Sequence, residues 1–179
     1  LEVVVIGITG SNGKTTTKDF CASVIGQRHA VHATRGNLNN HIGLPLTLLE
    51  ADDTDEVLVV EMGMNHPGEI APLCEIAKPQ IGIITNIGHA HIEFMGSKEA
   101  IAEEKGALAR SLPEVGTLLI TAGCEFAEYF SSRSSARSIP AACSEAQAKH
   151  RFEDSTGPDR LCESWETTRN VGSPVPVIK

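Results

Sequence analysis

The sequence predicts an α/β domain built on a parallel sheet with flanking helices, followed by an irregular tail. Three observations predict it. Short β-branched runs recur with helix-period segments between them. A glycine-rich turn joins the first run to the first helix. Aliphatic residues then thin out after residue 130, so residues 1–130 are read as the domain and 131–179 as the tail.

Val3 to Ile8 is an unbroken apolar run rich in β-branched residues, as a strand buried on both faces requires. Thr15 to Gln27 reads as a helix with Phe20, Cys21, Val24 and Ile25 on one side. Ala30 to Ala33 is a short strand, and Gly43 to Glu50 a short helix with Pro45 in its first turn. Val57 to Val60 is a second buried strand, Gly68 to Ala77 a helix behind Pro67, and Ile81 to Thr85 a third strand. Ser97 is placed to cap a helix that runs to about Arg110. Thr117 to Ile120 is a further main strand. In the tail only six of 49 residues are Ile, Leu or Val, nine are Ser, and no period persists.

At 179 residues and 41% hydrophobic, the chain is one domain, or one domain with a tail, and can bury a core; at 4% aromatic, that core is aliphatic. The net charge of −8 argues against general nucleic-acid or anionic-membrane binding, so an anionic ligand must be held by local positive features. No apolar run is long enough to span a bilayer, and no signal peptide is visible. The chain starts at Leu1 with a strand almost at once, which is read as a fragment boundary. Cys21, Cys74, Cys124, Cys143 and Cys162 are odd in number and widely spaced, which suits unpaired thiols in a reducing cytoplasm.

The strongest motif is Ile8-Thr9-Gly10-Ser11-Asn12-Gly13-Lys14-Thr15-Thr16-Thr17, between a buried strand and a helix. This is the setting of a phosphate-binding loop, and it makes the domain P-loop NTPase-like. Gly10 and Gly13 let the backbone curl so that N–H groups around Ser11, Asn12 and Thr16 face a phosphate. The helix N-terminus favours the anion. Lys14 can neutralise terminal phosphate charge, and the Thr15 hydroxyl can bind Mg²⁺. The spacing is G-x-x-G-K-T, with Ile8 where the longer motif has its first glycine. A nucleotide and Mg²⁺ are the ligands this chemistry implies.

Four more segments accompany the loop: Gly36-Asn37-Leu38-Asn39-Asn40-His41-Ile42-Gly43-Leu44-Pro45, Glu61-Met62-Gly63-Met64-Asn65-His66-Pro67-Gly68-Glu69-Ile70, Thr85-Asn86-Ile87-Gly88-His89-Ala90-His91-Ile92-Glu93 and Glu103-Glu104-Lys105-Gly106. As a set they resemble the central ATP-binding domain of the Mur ligases over roughly residues 3–130. Within the family, the Asn-Asn and Asn-His segments resemble the branch that joins D-alanyl-D-alanine to UDP-MurNAc-tripeptide. The resemblance implies a monomeric, cytoplasmic ligase of peptidoglycan precursor synthesis. The tripeptide carboxylate would attack the γ-phosphorus of ATP, and the dipeptide amine would then displace phosphate from the acyl phosphate.

The resemblance also implies residue roles. Glu61 ends a buried strand and is a hard oxygen ligand for Mg²⁺; a strand-end acid that is merely solvated is the alternative, and the position after Val57 to Val60 favours the metal role. His91 matches a ligand of a second metal; a lone histidine is otherwise more often structural. Lys105 matches a lysine that becomes carbamylated, which requires a depressed pKa because only the neutral amine reacts with CO₂. An exposed helix lysine beside Glu103 and Glu104 is the alternative. Asn37, Asn39 and Asn40 lie in a loop near the phosphates. Function is favoured for Asn37, while Asn39 is balanced between function and turn formation.

The chain departs from the family pattern in three ways. Segments that would hold the UDP-sugar and the far side of ATP are not in the sequence. The family's Leu-Asn-Ala-Asp-Asp segment, linked to adenine, is here Ile120-Thr121-Ala122-Gly123-Cys124. A later His-Asn signature is missing from residues 131–179. The isolated chain is therefore expected not to complete ligation. Two other readings remain: a sibling ligase of the Mur or folylpolyglutamate type, and an ATP-binding module inactive in isolation.

Overall fold

The computed structural model describes residues 3–141. Their elements run β1 (Val4–Thr9), α1 (Lys14–Ile25), β2 (Val31–Ala33), α2 (Gly43–Glu50), β3 (Val57–Glu61), α3 (Ile70–Ala77), β4 (Ile81–Ile84), α4 (Ile92–Met95), α5 (Lys98–Ser111), β5 (Thr117–Thr121), α6 (Ala127–Ser131) and β6 (Arg137–Ala141). The strands form one parallel sheet in the order β2-β3-β1-β4-β5-β6.

The order explains where the helices lie. From β1 the chain moves to the β2 edge, and from β3 onward it moves the opposite way. Right-handed crossovers therefore put α1 on one face and the later helices on the other. Strand alternation serves both faces. Ile6, Ile8, Val57 and Val59 pack with Cys21 and Ile25 of α1. Val5, Leu58, Val60, Ile84, Leu118 and Ile120 pack with Leu44, Leu73, Leu108 and Phe130 from α2, α3, α5 and α6. The core is mostly aliphatic, as the composition requires.

Three expectations need correction. The buried side of α1 carries Cys21 and Ile25, but Phe20 and Val24 are 59% and 54% exposed. The N-terminal turn fixes the helix rotation, and successive residues step by about 100°, so positions 18, 21 and 25 face inward instead. Helix α3 begins at Ile70, not Gly68, whose φ of 85° is left-handed. Finally, the sheet continues past residue 130: β6 pairs along β5 from Thr117↔Arg137 to Thr121↔Ala141. The irregular tail expected from residue 131 thus opens with the end of a helix and an edge strand. Its remainder, from 142 to 179, lies outside the described residues, as do Cys143 and Cys162.

Candidate active site

In an open parallel sheet, ligands bind at the carboxyl ends of strands where the connections diverge. Here that point lies between β1, which leads to one edge, and β4, which leads to the other. The G-x-x-G-K-T loop follows β1, and residues 85–91 follow β4. Glu61 closes β3 in register with Ile8 of β1. The sheet thus gathers three of the sequence motifs on one rim.

The loop is stitched to its neighbour after β4. Ser11 N donates to Asn86 O (3.0 Å) and Asn12 N to Asn86 Oδ1 (2.9 Å). Thr85 Oγ1 donates to Asn12 O (2.6 Å), and Gly88 N donates to Ser11 Oγ (2.8 Å). Gly10 has φ 149°, and a Cβ there would overlap the Thr85 hydroxyl. Gly13 has φ 78° and stands at the N-cap of α1. The backbone bond from Thr17 N to Gly13 O (2.9 Å) opens the helical ladder. The amides of Lys14, Thr15 and Thr16 therefore lie ahead of it, at the positive end of the helix. Lys14 Nζ folds back on the loop, donating to Gly10 O at 3.0 Å and Ser11 O at 3.5 Å.

Glu61 is 2% exposed and both its carboxylate oxygens accept hydrogen bonds. Thr15 Oγ1 donates to Oε2 and Asn39 Nδ2 to Oε1, each at 2.8 Å. The Glu61 amide donates to Thr34 Oγ1 (3.0 Å), and buried Lys18 donates to Thr34 O (2.7 Å). Sequence reasoning singled out neither Thr34 nor Lys18; a charged residue on the sheet-facing side of α1 was the available signal. Asn37 is exposed, and its side chain makes no hydrogen bond among the described residues, while its carbonyl accepts from Asn39 N (2.8 Å). Asn40 Oδ1 accepts from Ile42 N and Gly43 N and so caps the start of α2.

Lys105 is 1% exposed, on the inward side of α5. Burial, then the nearby Lys14 cation, push its pKa down to about 7, with Glu104 opposing. That answers the requirement for a locally depressed amine pKa. Glu104 also ties α5 to the head of α3, since its two oxygens accept from Gly68 N and Ile70 N at 2.8 Å. His91 sits at the N-cap of α4 with φ 65°, and α4 packs against α5. No hydrogen bond joins His91 to Glu61 or Lys105, and no group of three or more His, Cys, Asp or Glu gathers around a metal-sized space among the described residues. Glu61 with Thr15 offers instead the sparse oxygen set that suits Mg²⁺, which keeps several waters and takes one or two carboxylates.

A crevice beside the loop is lined by Thr85, Asn86, Ile87, Lys98 and residues 121–125, with Lys98 and Glu125 ion-paired there. It contains the Thr121–Cys124 segment.

The chain matches the Mur ligase middle domain over residues 8–166. It belongs to that family. The Mur ligase middle domain match includes every motif above and extends beyond the described residues. A UDP-N-acetylmuramoyl-tripeptide–D-alanyl-D-alanine ligase of Bacillus subtilis (strain 168) is 52% identical over 115 residues, which are 64% of this chain and 25% of that protein. MurF from Acinetobacter baumannii superposes with a TM-score of 0.75 at 34% identity, covering 78% of this chain and 31% of that one. MurF from Thermotoga maritima, solved in complex with ADP, superposes with a TM-score of 0.70 at 33% identity, covering 79% and 33%. The chain thus spans about a quarter of the length of the curated relatives it matches. Among the described residues of this Mur ligase middle domain, no helix is long and apolar enough to cross a membrane.

Proposed function

We propose that this chain is the ATP-binding part of a ligase that joins D-alanyl-D-alanine to UDP-MurNAc-tripeptide through an acyl phosphate. The observation that carries the reading is the N-terminus of α1. Three amides ahead of the helical ladder, the helix dipole and the Lys14 ammonium meet there beside a carboxylate clamp. A terminal phosphate fits this cradle, and Lys14 would leave its loop carbonyls to neutralise it.

The chemistry asks mainly for positioning and charge stabilisation. The amides of Lys14, Thr15 and Thr16 hold phosphate oxygens. Lys14 stabilises charge on the transferring group. Thr15 and Glu61 are the residues that would hold Mg²⁺, which supplies neutralisation of phosphate charge when bound. Lys105, with a pKa near 7, is partly neutral at physiological pH and can take up CO₂ as a carbamate. His91, at the head of the helix that packs on α5, is the further ligand in this reading. Asn37, exposed in the loop before α2, is the further phosphate contact in this reading. The enzyme would act in the cytoplasm as a monomer and bind no nucleic acid, in keeping with its net charge of −8.

Two measurements test this. Calorimetric titration of the 179-residue chain with β,γ-methylene ATP and Mg²⁺ should show binding that Lys14→Met abolishes; no binding to the unaltered chain would end the reading. The 115 residues matched in the Bacillus subtilis ligase can also be exchanged for those of this chain. The exchanged enzyme should form ADP when UDP-MurNAc-tripeptide is supplied, and amide only when D-alanyl-D-alanine is supplied as well. A folded, nucleotide-binding exchange that makes no amide would reduce the chain to a binding module.

A further inference from the structure

We propose that Asn39 is a positioning residue for the Glu61 carboxylate, and that position 63 is glycine in order to admit the Asn39 amide. The inference rests on the nucleotide-and-magnesium reading above and adds a residue and a constraint to it.

The argument starts from the ambiguity of an asparagine-rich loop. Asn40 is accounted for by local structure, because its Oδ1 accepts from Ile42 N and Gly43 N at the start of α2. Asn39 is not. Its side chain leaves the loop and reaches a carboxylate 22 residues away, donating from Nδ2 to Glu61 Oε1 at 2.8 Å. The atom that faces a carboxylate oxygen must be the donor nitrogen, so the amide orientation follows from the chemistry. That nitrogen cannot ligate a cation. Its effect is to fix the plane of a carboxylate whose other oxygen is held by Thr15 at 2.8 Å. Outer hydrogen bonds of this kind orient a metal ligand and lower the cost of presenting it.

Position 63 supplies an independent observation. Gly63 N donates to Asn39 O at 2.7 Å, locking the two loops together at the backbone. A Cβ on Gly63 would lie 2.8 Å from Cγ and Oδ1 of Asn39 and 3.0 Å from Nδ2. The φ of Gly63 is not among the positive values, so its backbone does not demand glycine. Packing against the Asn39 amide does. The Gly-Asn-x-Asn and Glu-Met-Gly segments are thereby one device: the second supplies the carboxylate and the gap, and the first fills the gap with the donor that aligns the carboxylate.

The test measures the affinity of the 179-residue chain for β,γ-methylene ATP in EDTA and in saturating Mg²⁺. Asn39→Ala keeps the backbone bond to Gly63 but leaves the buried Glu61 Oε1 without its donor, so its melting temperature should fall, and the affinities are compared well below the transition of either chain. Its affinity in EDTA should be unchanged, while the gain on adding Mg²⁺ should fall by about tenfold or more. A merely structural role would weaken both conditions alike. Gly63→Ala should reproduce the loss by displacing the amide. The double variant should be no worse than the poorer single one, because the truncated side chain leaves room for the new methyl group. A full Mg²⁺ gain in Asn39→Ala, or additive losses in the double variant, would overturn the inference alone. Failure of the unaltered chain to bind the analogue in either condition would overturn the nucleotide reading and this inference with it.

Discussion

The Thr15 hydroxyl donates to Glu61 Oε2 across 2.8 Å, so the first turn of α1 and the last residue of β3 share one proton. The bond leaves the Thr15 lone pairs directed away from the carboxylate, where a cation can be met while the donation persists. Thr15→Val keeps the branched shape and removes the hydroxyl. It should reduce Mg²⁺-dependent binding of β,γ-methylene ATP by about tenfold or more. It should also cost about 1–3 kcal/mol in denaturant unfolding, because a buried carboxylate oxygen loses its partner. An unchanged Mg²⁺ dependence would remove Thr15 from the site.

Lys14 and Lys105 repel one another, and the first cation helps hold the second below its ordinary range. Lys14→Met should therefore raise the pKa of Lys105 above about 7 and slow its reaction with an amine-directed reagent at neutral pH. Competitive labelling followed by peptide mass spectrometry reads that rate. An equal or faster rate would show that Lys14 does not govern its neighbour.

The same lysine makes stability depend on pH with a definite sign. Its pKa falls from 10.5 to about 7 on folding, so between those values the unfolded chain binds more protons. Stability then rises with pH through that window, and the penalty is greatest below it. Lys105→Met, which removes the penalty, should melt higher than the parent at pH 6. The difference should shrink steadily as the pH is raised towards 10, and a constant difference across this range would contradict the burial argument.

Gly10→Ala should cost about 1–3 kcal/mol from backbone strain, since φ is 149°, with a further loss from overlap with Thr85. Pairing it with Thr85→Ala should relieve the overlap with the Thr85 hydroxyl but neither the strain nor the close approach to Asn86 N. Thermal melts of the two single variants and the double variant separate these parts, and complete recovery would mean that φ carries no cost here.

Ser97 accepts from Ala100 N at 3.1 Å and caps α5, the helix that carries Lys105. Ser97→Ala should lower stability by about 1 kcal/mol. Chemical denaturation checks the value, and a change smaller than the error of the fit would show the cap to be idle.

Much of this was legible in the sequence for local reasons. Val57 to Val60 announces a strand because it is apolar without a break, and the G-x-x-G-K-T spacing announces the turn after β1 because few other folds need those residues in that order. Ser97 was readable as a cap because its bond reaches only three residues ahead. Helix α4 was not, since it has four residues and starts from a left-handed His91. Strand β6 was hidden by Arg137, Ser138 and Pro140. Proline suits an edge strand, but it looks like a break when read in isolation. The aliphatic positions of α1 misled for a related reason: the helix rotation is set by Thr15 and Lys18 meeting groups on β3 and after β2, which no period reveals. Asn39 shared the difficulty, because its partner is remote in the chain.

The four hydrogen bonds between residues 11–12 and residues 85–88 carry a thermodynamic consequence. A glycine-bearing segment left to itself would lose conformational freedom at the moment a ligand arrived, and that loss would be subtracted from affinity. Here the ordering is completed when β4 docks beside β1. Association then costs mainly rigid-body freedom and the release of one ammonium group from two carbonyls. Mutations that loosen the β4 rim should accordingly weaken binding without altering a single ligand-facing atom.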